Sequence, residues 1–71
     1  MKRTERAQLR QCYDSLIAVT NSVQKSGDML APLSYVNPYV SVASIDLTFA
    51  LQFLSMSAYN LGHALDDAKR V

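Results

Sequence analysis

The sequence predicts an all-α fold, an antiparallel two-helix hairpin that dimerises into a four-helix bundle. Three observations carry that reading. Leu9, Cys12, Leu16, Val19 and Val23 recur at alternating three- and four-residue steps, the spacing of a heptad seam. A connector punctuated by Pro32 and Pro38 follows. Beyond it lies a long apolar segment: between Met29 and Leu65 the only charged residue is Asp46.

The 71 residues make one small domain, 1–71. With 49% hydrophobic and 18% charged residues, the chain is too apolar for disorder. A core this small seldom supplies more than about 3–5 kcal/mol, and disulfides, metals or oligomerisation usually add the rest. One cysteine forms no internal disulfide, and one cysteine with one histidine builds no zinc site. Oligomerisation is left, with itself or with a larger protein, and no cofactor is expected.

The first helix is predicted over about 4–26. Thr4 is its candidate N-cap, and Glu5 in the first turn suits the helix dipole. Lys25 and Gly27 together read as a stop, a cation in the last turn followed by a left-handed cap. The rival is a longer helix bent at Gly27, its seam continuing through Ser26 to Leu30 and Leu33. The connector is predicted over about 27–37, with a short strand through its valines and tyrosines as second choice. Asn37 followed by Pro38 is a start signal, cap then first helical position. Should the helix begin later, Ser44 is the next cap, with Asp46 in its first turn. The second helix is predicted over about 38–69, and a short connector makes the two helices antiparallel.

On a helical projection the second helix has two apolar faces. Val40, Ala43, Leu47, Ala50, Leu51, Leu54, Ala58, Leu61 and Leu65 form one arc, the natural mate of the first helix. Gly62 in this helix costs about 1 kcal/mol relative to alanine, and close helix approach beside Ala58 and Ala64 is the expected compensation. Val42, Ile45, Phe49, Phe53 and Met56 form the other arc, on roughly the opposite side. A strip with Ser41, Ser44, Thr48, Gln52, Ser55 and Tyr59 separates the two. A hairpin buries one arc of each helix and not a second. An exposed apolar patch of this kind, rich in aromatics and methionine, marks an interface. The alternative is that the first helix, or the connector with Tyr35, Val36 and Tyr39, folds back over it.

Other chemistry is weaker. Ser55, Tyr59, His63 and Asp66 or Asp67 recur along one side, but nothing supplies an oxyanion hole or a nucleophile elbow; no catalytic residue is assigned and the chain is read as non-enzymatic. Cys12 is read as a small seam hydrophobe rather than a reactive thiol. Arg3, Arg6 and Arg10 share one side of the first helix, and Lys69 and Arg70 return to the same end, making a basic tip for a small anion or simply a solvated end. A net charge of +1 gives no long-range pull toward nucleic acid. The polar residues Thr48, Gln52, Ser55, Ser57, Asn60 and His63 argue against a membrane span. The free Cys12 and the lack of a secretory pattern after "MKRTERAQLRQ" suit a cytoplasmic chain.

The stretch "VASIDLTFALQFLSMSAYN" resembles the second helix of small viral helical proteins that sequester cyclic nucleotides, through Asp46-Leu47 and the apolar spacing after it. The likeness covers under a third of the chain, lacks the upstream basic and aromatic residues, and carries no binding residue across. The expected function is a protein–protein interaction module, an oligomeric adaptor or an inhibitor docking on a larger protein. A binder of a small anion such as a nucleotide, and an obligate subunit of a larger helical assembly, are the alternatives.

Overall fold

The computed structural model describes residues 1–69, with side-chain exposure through Asp67. It is a helical hairpin: α1 (Arg3–Leu30), a 3-10 turn (Ala31–Leu33) and α2 (Pro38–Lys69), with α1 lying along α2. Ala7 lies near Leu65, Tyr13 near Gly62 and Val23 near Leu47, so the helices run antiparallel. Cα positions span 53 × 14 × 13 Å, a rod two helices wide.

The start of α1 differs from the predicted one. Lys2, not Thr4, occupies the cap position with extended backbone angles, and its N–H donates to Glu5 Oε1 at 3.0 Å. Glu5 thereby serves as the acidic half of a capping arrangement.

The end of α1 also differs. The helix passes through Gly27 to Leu30, no glycine has a positive φ, and the last turn carries no cation. Ala31 N–H donates to the Gly27 carbonyl, keeping the ladder intact up to the turn. Termination belongs instead to Pro32, which has no N–H to continue the ladder. The 3-10 turn follows, with Ser34 Oγ donating to the Ala31 carbonyl at 2.6 Å. The connector forms no strand among the described residues.

The seam of α1 takes the other register. Leu9, Tyr13, Leu16, Thr20, Val23, Gly27 and Leu30 are the half-buried positions of α1, an unbroken alternation of four and three. Cys12 is exposed and Val19 is 46% exposed, which corrects their assignment to the seam. Two local features favour this choice. The Tyr13 ring lies over Gly62, where there is no side chain to displace it. Thr20 Oγ1 donates to the Leu16 carbonyl at 2.7 Å, so the hydroxyl is satisfied within α1 while the residue faces α2.

The start of α2 matches the Asn-Pro signal. Pro38 is the first helical residue, and Asn37 Oδ1 accepts from Tyr39 N–H at 2.8 Å. Every member of the predicted inner arc from Val40 to Leu65 is at least half-buried. Even so, only Ala58 and Leu65 are buried hydrophobics among the described residues, at 9% and 6% exposure, and no large side chain is fully buried.

Candidate functional site

The outer face of α2 is a contiguous apolar stripe that the hairpin leaves uncovered. Val42, Ile45, Phe49, Phe53 and Met56 are between 53% and 66% exposed. At 100° per residue their mean direction lies about 160° around α2 from that of Leu47, Leu54, Ala58 and Leu65. The face therefore points away from α1, and no rotation of α1 along its seam covers it.

Neither alternative cover is used. Tyr35 and Tyr39 are each 85% exposed and Val36 is exposed, so the connector does not fold back over the face. With Met29 and Leu33 also exposed, the turn end of the rod is itself apolar and aromatic. Toward the other end the same stripe becomes polar, at Asn60, His63 and Asp67.

By length and composition, Pro38–Asp67 is also apolar enough to cross a membrane. The same helix carries Thr48, whose Oγ1 donates to the Ser44 carbonyl at 3.1 Å, and exposed Gln52, Ser55 and Asn60.

At the charged end, Arg3, Arg6 and Arg10 come together with Ala7 and Leu65 around an open groove of about 380 Å³. The helical spacing and the arrival of Leu65 from α2 put three arginine residues along one groove beside one apolar side chain. Arg10 is partly engaged: its Nε lies 3.4 Å from Asp14 Oδ1, the only ion pair among the described residues, and its guanidinium is 5.7 Å from the Tyr13 ring centroid. The side chain of Lys69 and the whole of Arg70 lie outside the described residues, so the predicted tip is seen in its three α1 members.

Ser55, Tyr59, His63 and Asp66 line one shallow groove with Tyr13 and Gly62. Within it Tyr59 and His63 meet edge to face, with ring centroids 4.4 Å apart. Among the described residues no three His, Cys, Asp or Glu side chains are placed to hold a metal ion.

The positions missed by periodicity are Tyr13 and Thr20. Cys12 and Val19 are the more apolar neighbours in the sequence. Spacing alone does not choose between them, since both phases keep the four-three alternation to Leu30, one through Gly27 and the other through Ser26.

No protein-family model, curated protein or solved structure matches this chain.

Proposed function

We propose that the hairpin is a non-enzymatic protein–protein interaction module working through the outer face of α2. It associates with itself and serves as an adaptor or inhibitor that docks on a larger protein, in a reducing cytoplasm that suits the free Cys12. The observation that carries this is the mismatch between apolar content and burial: among the described residues two buried hydrophobics stand against five large ones exposed along a single face.

The size of the mismatch supports the same reading. A compact protein of this mass exposes about 4,400 Å². The chain exposes 5620 Å², an excess of roughly 1,200 Å² over that expectation. Its radius of gyration is 16.1 Å, against about 11 Å for a compact chain of this length. A standard interface removes about 800 Å² from each partner, so one such contact removes most of the excess.

Sedimentation equilibrium at micromolar concentration, with helicity followed in parallel, tests this. The expected result is an associated helical species that loses helicity on dilution. A fully helical, stable monomer at every concentration overturns the self-association.

The basic tip supports a second reading, a small anionic ligand such as a nucleotide in the Arg3–Arg6–Arg10 groove. It rests on three arginine residues lining one groove beside Leu65.

A further inference from the structure

We infer that the occupant of the α2 outer face is the same face of a second copy, applied antiparallel and centred on Phe49. The inference rests on the interaction-module reading above and goes further by fixing partner, direction and register. About Phe49 the apolar side chains are arranged symmetrically: Ile45 and Phe53 four residues to either side, Val42 and Met56 seven. A two-fold axis across the helix at Phe49 therefore returns the set onto itself. Self-complementarity of this kind is what an isologous contact requires. It places Ile45 against the second copy's Phe53 and Val42 against its Met56. The apolar stretch is about 21 Å long at 1.5 Å per residue, and the excess exposed area is of the size one such contact removes.

The parallel alternative meets opposition from the charges. Asp67 lies on the same stripe beyond Met56. Parallel pairing sets Asp67 against its own copy, and it places both arginine-rich ends at the same end of the array. Antiparallel pairing sends the Asp67 pair and the arginine-rich ends to opposite ends of the array and opposes the helix dipoles. Because the outer face lies opposite the seam, the product is a layered array with the two α2 helices inside and an α1 on each flank. It differs from a square bundle sharing one core.

The test uses chains of two lengths, one tagged, in a Cys12→Ser background. One carries Val42→Cys and the other Met56→Cys; they are mixed and oxidised. Antiparallel pairing brings the two different sites together and holds identical sites about 20 Å apart along the axis, beyond the roughly 7 Å reach of a disulfide. The expected product is the mixed-length disulfide, at least about tenfold over either same-site product given that reach. Ile45→Cys with Phe53→Cys repeats the test, should either first variant lose helicity. Predominance of same-site disulfides overturns the antiparallel register while leaving the interaction module standing. Absence of any disulfide, with a folded monomer on sedimentation, overturns both. Flotation with phosphatidylcholine vesicles in place of cross-linking assigns the face to a lipid surface and overturns the inference.

Discussion

Tyr13 lies across Gly62, and a Cβ built on the glycine would meet the ring's Cε2 at 3.7 Å. That distance is ordinary van der Waals contact, so the helices approach closely here without excluding a methyl group. Gly62→Ala is therefore expected to stabilise the hairpin, by up to about 1 kcal/mol from helix propensity alone. Urea titration checks it. A loss of stability would show that the ring sits closer to α2 than this geometry gives.

The register of α1 is testable by contrast. Leu16 and Leu54 are half-buried on the two facing seams. Leu16→Ala and Leu54→Ala should each cost about 2 kcal/mol, the low end of the range for buried leucines. Val19→Ala and Cys12→Ala, in the rejected register, should cost less than about 0.5 kcal/mol, as surface changes do. Equal losses from both sets would restore the register built on Cys12 and Val19.

The contrast between the helices shows what periodicity can and cannot resolve. The inner face of α2 is legible because leucines at 47, 51, 54, 61 and 65 leave no competing phase, and the uncovered face is legible because Phe49 and Phe53 cannot share it. In α1, Leu9, Leu16 and Val23 belong to two registers at once. The choice between them falls to Cys12 against Tyr13 and Val19 against Thr20, where side-chain polarity points the wrong way. The deciding facts are tertiary or local: a glycine on the other helix beneath the Tyr13 ring, and a Leu16 carbonyl that takes up the Thr20 hydroxyl. The stop read at Gly27 also fails, because the ladder runs on through Ala31 N–H to the Gly27 carbonyl and ends only at Pro32.

Cys12 should be alkylated rapidly in the native chain, since it is exposed on α1. In the layered antiparallel array α1 remains on the outside, so association should not slow the reaction. Timed labelling at dilute and at micromolar protein separates the cases. Protection that grows with concentration would place a partner on the α1 flank instead of on α2.

The arginine groove makes its own prediction. A nucleotide held by Arg3 and Arg6 at ten times its Kd would stabilise the fold by about 1.4 kcal/mol, which is several degrees in Tm for a chain this small. Arg3→Gln combined with Arg6→Gln should abolish the rise. A flat Tm across a nucleotide titration removes the ligand reading and leaves the interaction module untouched.

The outer face itself is tested by Phe49→Asp. Phe49 is more than half exposed in the single hairpin, so an aspartate there meets water and leaves the α1–α2 seam alone. In the associated state the same carboxylate would be buried without a partner, at a cost of several kcal/mol. Association should therefore be lost at concentrations where the unsubstituted chain is associated. Helicity should fall only as far as the isolated hairpin depends on its partner. Ser55→Asp is the control, because Ser55 is exposed on α2 but lies off the apolar stripe. It should leave the sedimentation profile unchanged. Damage of equal size from both substitutions would mean that a new charge anywhere on α2 unsettles the helix, and that Phe49 has no special place. If Phe49→Asp leaves association intact, the contact lies elsewhere on the rod and the outer face of α2 is not what joins the subunits.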